Sequence, residues 1–273
     1  MAAMRTVTVN GISAHVSETG EGEPVVLLHS GAGEARNWRR FTDELPGGYR
    51  CLALDFYDCG RSPPWPGPAA LTIDDQAYLV ATIARSIGTP VHLCGHSYGG
   101  AVALRLAVTH PELVGTLSLI EPQCYPLLRE TGDPLFEESE SGWQSFCAAF
   151  HAGERERAWR QFIDYYSGHG FWDRLSPEVR AGFLAVSPIE RWAVLFSNPT
   201  TVGDVRRLQV PTLVLCGENT TAPQRRMCEI IADATPHATL GMLPAAGHMS
   251  PMTHPKEVAE MIVRHISAYV RAS

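Results

Sequence analysis

The chain has 273 residues, of which 45% are hydrophobic and 19% charged, and a net charge of −7. That length suits one substantial core with room for an inserted subdomain, and the lack of any clustered Lys and Arg argues against a nucleic-acid partner. Met1 to Asn10 hold no apolar run of signal-peptide length, and no apolar span is long enough to cross a bilayer, so no membrane partner and a cytoplasmic location are expected.

The first elements read as strands. Arg5 to Val9 alternates, Asn10-Gly11 marks a tight turn, and Ile12, Ala14 and Val16 alternate again. Short apolar runs without alternation follow at 24–28, 51–54, 91–94, 117–120 and 211–215, with 238–243 as a weaker last member. Such runs suit strands of a parallel sheet covered on both faces. Helical patterns separate them. Thr72 to Ile87 places Ile73, Ala77, Val80, Ala81 and Ala84 on one face, Ser97 to Thr109 stops before Pro111, and Pro255 opens a final helix. The alternation predicts an α/β fold built on a doubly wound, mostly parallel sheet.

About ninety residues between Ile120 and Pro211 exceed any ordinary crossover. This stretch is rich in aromatic residues and mostly helical in pattern. It is expected to be a helical cap over the sheet edge where such folds bind ligands, giving a core of 1–121 and 210–273 and a cap of 122–209. Seven scattered cysteines (Cys51, Cys59, Cys94, Cys124, Cys147, Cys216 and Cys228) form no CxxC pair. Buried thiols are expected rather than a disulfide framework or a zinc site.

Chemistry concentrates at Gly95-His96-Ser97-Tyr98-Gly99. A serine hydroxyl needs exposure and a base, and a sharp turn between strand and helix supplies the exposure. Small residues two positions either side of the serine let strand and helix approach. The pentapeptide follows a buried-strand pattern and opens a helix, the context this motif requires. His248, preceded by Gly247 and followed by the last helix, is the expected base. His29 and His254 are read as structural or surface residues, His92 as lying inside a strand, and His96 as turned away from the serine.

Together with His29-Ser30-Gly31-Ala32-Gly33 and Leu54 to Ser62, these motifs resemble the α/β-hydrolase superfamily in order and over nearly the whole chain. The resemblance implies an eight-stranded sheet and an oxyanion hole formed by the N–H groups of Tyr98 and Gly31, with Ser30 standing where glycine is usual. It implies membership of the cap-bearing, serine-nucleophile branch. Epoxide hydrolases and haloalkane dehalogenases, which use aspartate at this position, are disfavoured.

The family's usual acid site, three residues after a glycine in Gly217-Glu218-Asn219-Thr220, holds a threonine here. Glu121, at the end of the run before Pro122, is the preferred replacement, and Glu218 is the alternative. The expected activity is cofactor-free hydrolysis of an ester, thioester or lactone of a small, hydrophobic or aromatic molecule. A lyase, C–C bond hydrolase or cofactor-free oxygenase with the same triad, and a non-catalytic binder, remain alternatives. Oligomeric state is not read from the pattern.

Overall fold

The computed structural model describes residues 3–9 and 11–271. Ala3–Val9 (β1) and Ile12–Thr19 (β2) pair antiparallel with Val9 opposite Ile12. Asn10, half of the expected turn, lies outside the described residues. Each unalternating apolar run is a strand: Gly22–Leu28 (β3), Gly48–Leu54 (β4), Val91–His96 (β5), Val114–Ile120 (β6), Thr212–Gly217 (β7) and Ala238–Leu243 (β8). They form one eight-stranded sheet in the order β1-β2-β4-β3-β5-β6-β7-β8. Only β2 runs antiparallel to its neighbours β1 and β4; β4, β3 and β5 to β8 are parallel.

Three short or medium helices precede and flank the sheet centre: Arg39–Asp43 (α1), Ile73–Ile87 (α2) and Tyr98–Thr109 (α3). Between β6 and β7 lie Tyr125–Glu130 (α4), Leu135–His151 (α5), Arg155–Ser167 (α6), Phe171–Arg174 (α7), Pro177–Ala185 (α8), Ile189–Ala193 (α9) and Val202–Arg207 (α10). Ala222–Ala234 (α11), Ser250–Thr253 (α12) and Pro255–Val270 (α13) complete the chain. Thr72 is the N-cap of α2 rather than its first residue, because its side chain accepts from the Asp75 N–H. Ser97 likewise stands just outside α3, as the residue before its first turn.

The missing alternation in the strands follows from helices on both faces. Val26 and Leu28 of β3 pack in the core shared with Val80 of α2 and Val102 of α3. Val25 and Leu27 point the other way, to Trp38, Phe41 and the α13 residues Val258, Ile262 and Ile266. The reversal of strand order falls between β3 and β5, so the loops after these two strands open side by side at the sheet's C-terminal edge. Six of the seven cysteines are buried and all seven are free, as expected. No helix among the described residues is long and apolar enough to cross a membrane.

Candidate active site

Ser97 occupies the turn between β5 and α3 at φ 58° and ψ −115°, a strained backbone for any residue with a side chain. Neighbouring backbone holds it there. Its N–H donates to Ile120 O at 2.9 Å, and its carbonyl accepts from Ala101 N and Gln123 N, both at 3.1 Å. A Cβ on Gly95 would overlap Gly99 O, and one on Gly99 would overlap Leu28 O, so both glycines are required by close approach. Gly99 N also donates to His29 O at 3.1 Å, which presses the loop after β3 against the turn.

His248 comes from the loop between β8 and α12. Its Nε2 lies 3.0 Å from Ser97 Oγ, and its Nδ1 lies 2.7 Å from Glu121 Oε2. Glu121 follows β6 directly, at φ 42°, and is fully buried. Its carboxylate has two further donors, Gly217 N–H at 2.8 Å to Oε1 and Thr220 Oγ1–H at 2.6 Å to Oε2. Burial pushes this carboxyl up, but the hydrogen bonds from His248, Thr220 and Gly217 outweigh it and hold the pKa below the ordinary value. A charged Glu121 fixes the proton of the neutral imidazole on Nδ1, which leaves the Nε2 lone pair for the Ser97 hydroxyl.

Glu218 is exposed and faces away from this network. Its Oε2 accepts from Ala245 N at 3.2 Å, and it braces the loop that leads to His248. Thr220, at the family's usual acid position, donates instead to the Glu121 carboxylate.

The remaining histidines and acids divide clearly. His29 Nδ1–H donates to Ser30 O at 2.7 Å and its Nε2 accepts from Phe56 N at 3.3 Å. His92 lies in β5 with Nδ1 3.0 Å from Thr116 Oγ1. His96 is not simply turned away: its Nε2–H donates to His248 O at 2.7 Å, and the two rings lie 5.0 Å apart. Burial first, then the nearby His248, lowers the His96 pKa to about 3, so it supports the loop as a neutral group. Asp55 fixes loops by accepting from Ala35 N and Arg61 N and pairing with His15 at 2.9 Å. Asp204 accepts from the Thr201 N–H and hydroxyl at the start of α10.

The inserted helices bring further side chains to this edge, whose individual contacts spacing does not give. The Tyr166 ring of α6 lies 4.6 Å from the His248 ring, and its hydroxyl is 3.0 Å from both Tyr125 OH and Gln123 Nε2. Arg191 of α9 donates to Asp58 O and Gly31 O, both at 2.8 Å. A cavity of about 300 Å³ is lined by Trp143, Phe162, Trp192 and Phe196 together with Gln123, Tyr166 and Gln224. Their one sequence signal was the density of aromatic residues between β6 and β7.

The sequence profile of the alpha/beta hydrolase family matches residues 25–261. The chain belongs to this family. Over 123 residues it is 35% identical to the dihydrolipoyllysine-residue acetyltransferase component of the acetoin cleaving system of Cupriavidus necator. That match covers 44% of this chain and 32% of the relative, so the chain spans about a third of that protein's length. It is 24% identical to the 2-hydroxy-6-oxo-6-(2'-aminophenyl)hexa-2,4-dienoic acid hydrolase of Metapseudomonas resinovorans, over 96% of this chain and 90% of that protein. Among solved structures, a hydrolase from Pseudomonas aeruginosa superposes with a TM-score of 0.75 at 20% identity, covering 96% and 98% of the two chains. For an alpha/beta hydrolase, the departure here is a buried carboxylate, Glu121, after β6 at His248 Nδ1, with threonine at position 220 after β7.

Proposed function

We propose that this alpha/beta hydrolase cleaves an ester, thioester or lactone through an acyl-enzyme on Ser97. The observation that carries this reading is the unbroken chain of contacts Ser97 Oγ–His248 Nε2–His248 Nδ1–Glu121, at 3.0 and 2.7 Å. His248 takes the hydroxyl proton as Ser97 Oγ bonds to the carbonyl carbon, and the carbonyl π pair moves onto oxygen. The N–H groups of Tyr98 and Gly31 receive that charge. Collapse expels the alcohol or thiol, which takes the proton from His248. Water activated by the same imidazole then releases the acid. Glu121 orients the ring and stabilises its charged form. Residues 122–209 act as a cap, and their aromatic cavity supports a hydrophobic or aromatic small-molecule substrate.

Labelling of Ser97 by a fluorophosphonate, and turnover of nitrophenyl esters abolished in Ser97→Ala, would support the proposal. Undiminished turnover in Ser97→Ala would overturn it. The long match to a hydrolase of a 2-hydroxy-6-oxo-dienoic acid favours C–C bond hydrolysis as the second reading. Cleavage of a vinylogous 1,5-diketone much faster than any ester, with Ser97 never acylated, would select it.

A further inference from the structure

The indole of Trp192 is buried, with 5% of its surface exposed, and its Nε1–H has no hydrogen-bond partner among the described residues. An indole N–H is a donor only, and leaving one unmet in a closed site is destabilising. Its position is specific. A Cβ on Gly31 would overlap Trp192 Nε1, so the N–H edge fills the space that a side chain at residue 31 would take. The preceding residue, Arg191, clamps α9 to the same loop through the Gly31 and Asp58 carbonyls. The loop in turn is tied to the nucleophile turn by Gly99 N–H to His29 O. Trp192 also lines the aromatic cavity, and Phe162 stacks on it at 4.5 Å. An apolar wall needs no N–H here; phenylalanine would fill the slot without an orphaned donor.

We propose that the Trp192 indole N–H donates a hydrogen bond to the carbonyl oxygen of substrate held at Ser97, a donor supplied by the inserted helices. This rests on the acyl-enzyme reading above. The two backbone donors belong to the core, whereas this one is present only while α9 is docked on the loop after β3. The site is therefore complete only when the inserted helices are closed. As Ser97 Oγ bonds to the carbonyl carbon and the π pair moves to oxygen, the N–H meets charge that the ground state lacks, which is the condition for lowering the barrier.

The test compares oxygen esters with the matching thionoesters, whose sulfur accepts hydrogen bonds weakly. Trp192→Phe is expected to lose about a hundredfold in kcat on the oxygen ester and far less on the thionoester. Equal losses on both would overturn the donor role and leave packing. A second measurement needs no variant. In the wild-type protein, the Trp192 indole N–H resonance, assigned by its NOE to the Gly31 α-protons, is followed as a fluorophosphonate reacts. A downfield shift on phosphonylation of Ser97 supports the bond to the phosphoryl oxygen. Labelled Ser97 with an unmoved resonance overturns the donor role alone. An unlabelled Ser97 overturns the acyl-enzyme reading, and this inference with it.

Discussion

A carboxylate with no exposed surface stays charged only when its oxygens are met by donors, and Glu121 has three. If it holds His248 in the working tautomer, Glu121→Gln should lower kcat roughly a thousand- to ten-thousand-fold while the chain still folds. Glu218→Gln should stay within about twofold of wild type, as exposed substitutions do. Nitrophenyl ester turnover, with circular dichroism as the folding control, separates the two; a crippled Glu218→Gln would reverse the assignment. Thr220→Val removes one of the bonds that hold the Glu121 pKa down. Its pKa then rises, protonation sets in sooner as pH falls, and the acid limb of the kcat/KM profile should move to higher pH. An unmoved limb would mean that Thr220 does not tune the acid. The place of Glu121 was legible at this scale, because an acid at the end of a buried run must sit at the sheet edge. The service of Thr220 was not, since a hydroxyl one loop away leaves no mark in spacing.

Among elements, the loops at the C-terminal edge carry the strain. The four described non-glycine residues with positive φ are Asp58, Ser97, Glu121 and Ala245, and all follow strands of the sheet. Such backbone persists only where surrounding contacts over-determine it. Gly217 shows how closely these loops nest. A Cβ there would overlap Ala246 O and come within 3.2 Å of Glu121 Oε1. Gly217→Ala should therefore displace both Glu121 and the loop bearing His248, costing about 1–3 kcal/mol of stability and a larger share of activity. Chemical denaturation and kcat measured together test this; full activity in a destabilised protein would show the loops to be independent. Strands and their order of contact were readable because a strand buried on both faces has a composition of its own. The inserted helices were readable only as helices, since aromatic residues that pack on each other and on His248 look alike until the chain is folded.

For the molecule as a whole, burial of the edge turns histidines into a stability term. Ser97 and His248 are each 3% exposed, and His29 and His96 lie deeper in the same edge. Burial lowers the His29 pKa to about 4, although its bond to Ser30 O and the charge of Asp55 act the other way. His96 falls to about 3. In the unfolded chain both return to about 6.5. Between that value and the folded pKa the unfolded state binds protons that the folded state refuses, so stability falls as pH falls through this window. His29 alone accounts for at most about 3 kcal/mol by pH 4. Glu121 acts in the same direction but only lower, because its loss begins near its unfolded value of 4.5. Urea midpoints taken from pH 7 down to pH 5 therefore isolate the histidines. The midpoint should drop across that range, and His29→Gln should flatten the slope even though it loses the bond from Phe56 N and is less stable at neutral pH. An unchanged slope in that variant would show that His29 is not the group refusing the proton.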